Sequence, residues 1–224
     1  MTAPLTIDIW SDVMCPWCVI GYQNLTAALS ELGGEVEAQI RWLPFELNPD
    51  MPPEGEESVA HIARKYGRTL EQAEAGRTMM SERARAVGFP FDYTGEGAPP
   101  PSMLWNTFDA HKLLRWALAT EGAEAQTRLK LALFAAHFQQ RRRISERSVL
   151  LDIVVEAGLD RAAAETALDD PALGEAIRAE ERQAWEHNIS GVPAMVFDGQ
   201  FLVPGAQEPE TYANVIRKVV ARRA

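Results

Sequence analysis

Apolar and polar positions change period twice along this chain, and the changes outline its architecture. In LTIDIW (5–10) apolar and polar side chains alternate, the period-two pattern of a strand. Beyond Cys15 the period is nearer 3.6. Ile20, Leu25, Ala28, Leu29 and Leu32 fall on one face of a helix that Pro16 can open and Gly33-Gly34 stops. EVEAQIRWLPFEL (35–47) predicts a second strand, ended by Pro44, and NPDMPPEGEES (48–58) is a breaker-rich linker. Helical patterns then follow one another over 58–67, 69–88, 102–122, 123–140, 145–158, 160–170 and 171–188. FPFDYTGEGAPPPS (89–102) forms a long loop between the second and third. Strand signals return in PAMVF (193–197) and QFLVPG (200–205). Asp198-Gly199 between them is a hairpin signal, and a helix from 208 to 223 closes the chain. Phe45, Trp105, Trp116, Phe134 and Phe138 read as core.

The order is therefore a βαβ unit, some 130 helical residues, and a ββα unit. This predicts an α/β fold whose thioredoxin-like part, residues 1–57 and 188–224, is interrupted by an all-helical insertion, 58–187. Composition narrows the function. Asp+Glu 32 against Lys+Arg 22 leaves a net charge of −10, which argues against nucleic acid or an anionic membrane as partner. The short run Arg141–Arg143 reads as a solvated helix end. MTAPLTIDIW has neither a basic n-region nor a long apolar h-region, and no stretch is apolar enough to span a bilayer. The expected location is cytoplasmic, where thiols are kept reduced.

Cys15 and Cys18 are the only cysteines, with Pro16 and Trp17 between them. A bridge between such close neighbours removes little loop-closure entropy, so a structural disulfide is a poor explanation. Zinc needs more ligands, and His61, His111, His137 and His187 show no ligand-like spacing, so no metal is expected. A dithiol/disulfide redox couple remains, and a CxxC opening the first helix of a βαβ unit points to a thioredoxin-like fold. The helix N-terminus, with its unpaired N–H groups and positive dipole end, favours a thiolate at Cys15. Cys15 is thus the expected nucleophile and Cys18, a turn deeper, the resolving thiol. Trp17 cannot add positive charge beside the nucleophile, so Cys15 is expected below the free-thiol pKa but only modestly so. Trp17 equally suits an apolar contact for substrate. Asp12 reads either as a loop residue taking nearby N–H groups or as a charge that repels the thiolate or relays a proton through water.

The segments SDVMCPWCVIG (11–21), RWLPFELNPDMPPEG (41–55), NTFDAHKL (106–113), LFAAHF (133–138), ISGVPAMVFDG (189–199) and GAQ (205–207) carry a resemblance that runs the length of the chain. Together they resemble the DsbA-like thioredoxin-fold oxidoreductases, in their FrnE-type branch. The resemblance implies thiol–disulfide exchange with protein or small-molecule thiols and disulfides. It implies no cofactor beyond the Cys15–Cys18 disulfide itself, with glutathione as a candidate co-substrate and a recycling reductant or oxidant that the residues do not specify. It also aligns Val192-Pro193 with the family's cis-proline loop, against the CxxC, where position alone makes trans the default. Asn106, His111 and Gln207 match family positions that could order the helical part against the site, with His111 expected as a hydrogen-bonded interior histidine. Two alternatives stay open. One is a glutathione-dependent isomerase or transferase, whose branch carries serine where Cys15 stands. The other is a non-catalytic, chaperone-like binding module.

Overall fold

The computed structural model describes residues 4–223; residues 1–3 and Ala224, the outermost positions of the expected thioredoxin-like part, lie outside it. Four strands form the main sheet in the order β2-β1-β5-β6. β1 (Leu5–Ser11) is central, parallel to β2 (Ala38–Pro44) with Ile9 opposite Trp42, and antiparallel to β5 (Ala194–Phe197) with Ile9 opposite Met195. β6 (Phe201–Pro204) continues the sheet through a hairpin whose Asp198 and Gly199 both take positive φ, as the Asp-Gly signal requires. Between β1 and β2 lies α1 (Pro16–Glu31), and α9 (Pro209–Arg223) closes the chain beside it. Leu5, Ile7 and Ile9 are buried with Leu25, Ala28, Phe197, Tyr212 and Ile216 in one core that also takes in Cys15 and Cys18.

The helices inserted between β2 and β5 build a second core. α4 (Phe108–Glu121), α5 (Ala123–Phe134), α6 (Arg147–Glu156) and α7 (Arg161–Asp169) contribute Leu113, Leu129, Leu133, Leu150, Ile153 and Leu168 to it. α2 (Ser58–Tyr66), α3 (Leu70–Ala86) and α8 (Pro171–Glu186) complete the set. This is the interrupted α/β fold that the periodicities predict. No helix among the described residues is long and apolar enough to cross a membrane. Four of the five expected core aromatics are buried, while Phe138 is half-buried and stacked on Phe91 at 4.3 Å between ring centroids.

Three expectations change. The helix expected over 102–122 starts only at Phe108, because the Asn106 carboxamide oxygen takes the Phe108 N–H at 3.0 Å and sets a new start there. The preceding Met103–Leu104 is instead a strand, β4, antiparallel to β3 (Glu56–Glu57), which falls in the stretch read as linker. The stretch 123–140 is not one regular helix: it ends in a π-helical turn, Ala135–Gln139.

β2 is an edge strand, and α5 covers that edge with a side chain. The fully buried Gln126 accepts the Trp42 N–H and donates to the Trp42 carbonyl, both at 2.8 Å, so one carboxamide completes a ladder position that no strand fills. Trp42 Nε1 donates in turn to Thr127 Oγ1 at 3.1 Å. Gln126→Leu keeps the volume but strands two buried backbone groups, at about 1–3 kcal/mol each. Thermal unfolding of that variant is expected about 4–24 °C below wild type, given about 2–4 °C per kcal/mol at this chain length. An unchanged midpoint would show that the tether contributes nothing.

Candidate active site

Asp12 organises the loop between β1 and α1. Its side chain is fully buried, with Oδ2 taking the Leu47 N–H at 2.7 Å and Oδ1 the Met14 N–H at 3.3 Å. Its backbone carbonyl takes the Cys15 N–H at 3.2 Å. His111 Nε2, on α4, stands 3.8 Å from Oδ1, just beyond a hydrogen bond. Burial alone would push the Asp12 carboxyl up, but His111, the Leu47 N–H and the charge of Lys130 bring it below its ordinary value. The carboxylate therefore stays ionised and holds the β1–α1 loop to the segment leaving β2. Of the two readings of Asp12, the geometry supplies the loop-satisfying one.

This loop delivers the cysteines. Cys15 occupies the N-cap of α1 in extended conformation, and Pro16 follows at the first helical position, where its missing N–H leaves nothing unpaired. The Cys18 N–H donates to the Cys15 carbonyl at 3.0 Å, which puts Cys18 a turn inside. Both side chains are buried free thiols, Cys18 wholly so. The Val192-Pro193 peptide is cis, and the Val192 carbonyl oxygen lies 3.5 Å from Cys15 Sγ. Pro193 also packs on α1. A Cβ at Gly21 would come within 3.1 Å of Pro193 Cγ and 3.3 Å of Met195 Cε, so a larger residue there would make the loop give by a few tenths of an ångström.

The pair holds its protons unequally. The hydrogen bond that Cys15 makes to Cys18, with burial and the Cys18 and Asp12 charges adding to it, holds the Cys15 thiol well above its ordinary value. Burial pushes Cys18 up as well. The hydrogen bond from Cys15, the Lys130 charge and the Ser11 hydroxyl outweigh that and leave Cys18 below the usual thiol range. This reverses the expectation that Cys15 would be the depressed thiol. The reason is tertiary: the stabilising groups converge on Cys18 from β1 and α5, and the helix terminus is not the only field present.

The remaining expected positions divide. Trp17 is half-buried, with the exposed Arg83 guanidinium of α3 over its ring at 5.5 Å. Pro16 lies half-buried beside it. Asn106 Nδ2 reaches Glu46 Oε1 at 3.4 Å and the Pro49 carbonyl at 3.3 Å, joining α4 to the segment after β2. Gln207 accepts from Asn24 of α1 at 2.8 Å through its carbonyl, and its amide bonds the Pro204 carbonyl. It ties the β6–α9 connection to α1 and makes no recorded contact with either cysteine. His111 is interior, but its Nε2 finds no hydrogen-bond partner among the described residues, unlike the partnered histidine expected.

Several groups escaped the sequence. Lys130, on α5, lies in none of the segments that carry the resemblance. Glu46, after β2, is held by Asn106 and by Arg178 of α8, its backbone N–H donating to Glu181. Ser11 and Gly21 carried no motif except the run into and out of the CxxC.

The match to a family model of the DSBA-like thioredoxin domain covers residues 6–217. The chain belongs to the DSBA-like family. A structure of a probable DsbA oxidoreductase, SCO1869 from Streptomyces coelicolor, is 29% identical, with TM-score 0.84 over 98% of this chain and 92% of that one. The cytosolic disulfide reductase DsbM from Pseudomonas aeruginosa shares the fold at 23% identity, with TM-score 0.65 over 98% of this chain and 100% of that one. Bacillus subtilis YwbO, an uncharacterised protein, is 25% identical over 94% of each chain. The DSBA-like family assignment and the SCO1869 likeness agree with the thioredoxin fold carrying a helical insertion.

Burial and the neighbouring Glu181 charge push the Glu46 carboxyl up to about 7, against the opposing pull of Arg178. A carboxyl whose folded value exceeds its unfolded one binds its proton more tightly in the fold. Its contribution to stability is full below the ordinary value near 4.5 and is lost as pH rises through about 7. Glu46→Gln, which mimics the protonated form, is expected to raise the unfolding midpoint relative to wild type at pH 8 and to leave it nearly unchanged at pH 5. A gain at pH 5 equal to that at pH 8 would contradict the assignment.

Proposed function

We propose that this chain is a thiol–disulfide oxidoreductase working through the Cys15–Cys18 couple. The observation that carries the proposal is the sulfur pair itself, two buried free cysteines at the start of α1, with the Val192 carbonyl facing the outer one. Cys15 is the nucleophile. It attacks a substrate disulfide as its thiolate, the form in which sulfur is nucleophilic. Attack forms a mixed disulfide on Cys15 and releases one substrate thiolate. Cys18 then attacks Cys15 Sγ, passes its proton to the departing substrate sulfur, which leaves as a thiol, and closes the Cys15–Cys18 disulfide. Trp17 and Pro16 border the attacking sulfur, and the Val192-Pro193 loop offers backbone along which an extended substrate segment can lie.

The substrates we propose are protein or small-molecule disulfides in the cytoplasm, with glutathione as a small-thiol co-substrate. Support comes from DsbM of Pseudomonas aeruginosa, a cytosolic disulfide reductase whose structure was also solved with GSH. Residues 1–57 and 188–224 would carry the couple and 58–187 would frame it. A glutathione-dependent isomerase would leave Cys18 idle.

Disulfide turnover measured with a thiol reductant should fall to the uncatalysed background in Cys15→Ser. Cys18→Ser should instead accumulate a mixed disulfide on Cys15, seen as the added substrate mass on the intact protein. Turnover that survives Cys15→Ser would overturn the assignment, and turnover indifferent to Cys18→Ser would favour the isomerase.

A further inference from the structure

The second half of α3 carries three arginines, Arg77, Arg83 and Arg85. Two are taken. Arg77 pairs with Glu74 one turn back, and Arg85 holds Asp92 at 2.8 Å. Arg83 is exposed and makes no ion pair or side-chain hydrogen bond among the described residues. Its guanidinium instead stands over the Trp17 ring, 5.5 Å from the centroid. In a chain with Asp+Glu 32 against Lys+Arg 22, no described carboxylate comes within ion-pair distance of it.

The ring under Arg83 is the third residue of the CxxC. Trp17 lies two residues from Cys15, so their Cα atoms are at most about 7.6 Å apart. It is half-buried and packs on the core that holds both sulfurs. α3 lies against α1, so the fold itself brings this cation to the edge of the redox pair. An aromatic ring engages the face of a guanidinium. The N–H donors stay along its edge, in the fork that takes a carboxylate through two parallel bonds.

We propose that Arg83 is a specificity-determining residue at the rim of the CxxC, a carboxylate subsite that selects small anionic disulfides of the glutathione class for exchange at Cys15. The assignment rests on the thiol–disulfide function proposed above and names a substrate class for it. Glutathione is tripeptide-sized, about 10 Å when extended, and carries its sulfur between two terminal carboxylates. One carboxylate on Arg83 would lay it across the Trp17 ring with the sulfur toward Cys15. A long acidic segment suits the site less. One cation meets one carboxylate, and the net charge of −10 repels the rest. The Cys15 thiolate displaces one glutathione thiolate, which takes a proton from solvent. Cys18 displaces the second, which takes the Cys18 proton. Two electrons thus pass from the protein dithiol to the glutathione disulfide, and the Cys15–Cys18 disulfide closes.

The test mixes reduced protein with three disulfides and follows the loss of free thiols. Glutathione disulfide is anionic, hydroxyethyl disulfide neutral and cystamine cationic. Arg83→Met keeps an apolar cover on Trp17. Its second-order rate with glutathione disulfide is expected to fall about tenfold, while that with hydroxyethyl disulfide stays within about twofold. In Arg83→Glu, glutathione disulfide should react more slowly still and cystamine faster than in wild type. Arg83→Lys should recover part of the loss. In about 1 M salt, where the screening length is about 3 Å, the wild-type preference for glutathione disulfide should shrink. Equal losses with all three disulfides, or no loss with glutathione disulfide, overturn the subsite. A loss confined to disulfides in acidic polypeptides overturns the small-ligand assignment. Failure of the function itself looks different: the wild-type protein would then react with none of the three faster than a free thiol does.

Discussion

One buried carboxylate holds the site in place. Asp12 leaves the end of β1, the central strand, and binds backbone N–H groups from its own loop and from the segment that follows β2. Two chain crossings that would otherwise meet only through side-chain packing are thereby fixed at hydrogen-bond precision. The Cys15 N–H on the Asp12 carbonyl then sets where the helix begins, and with it where the first sulfur stands. Ionisation is part of this function: a neutral carboxyl could not accept from both N–H groups as strongly. His111 and Lys130 keep the charge in place from the helical side.

The site therefore belongs to both parts of the fold. Val13 and Met14, just before the first cysteine, pack into the helical core, whereas Cys15 and Cys18 pack into the core of the sheet. α5 crosses the same boundary with Gln126 on the edge of β2, Lys130 over the Trp42 ring and Phe134 among the residues around the sulfurs. An insertion joined to the sheet only by its linkers could move independently of it. This one is stitched through the strand edge and through the cysteine pair's own surroundings, so one of the charges acting on Cys18, that of Lys130, comes from more than a hundred positions away in sequence.

Much of the fold was legible before any coordinates. Alternation in 5–10 and the Asp198-Gly199 turn identify strands and a hairpin because those are local, period-two signals. Cys15, Pro16 and Cys18 announce a helix start with a sulfur pair because capping chemistry is also local. Failures occurred where a side chain replaced a local rule. Asn106 stopped a helix from beginning where its apolar pattern begins, and Met103–Leu104 became a strand only because Glu56–Glu57 lay opposite. The two-residue ladder has no sequence period long enough to read.

The sequence by itself determined the order of elements, the CxxC cysteine pair and which sulfur lies at the helix tip, since each follows from neighbours within a few residues. Only the tertiary structure decided which groups surround the two sulfurs. That depends on Lys130, Ser11 and Asp12 converging on Cys18 from three elements. Their fields act through a low-dielectric interior that exists only once the helical part has closed over the sheet.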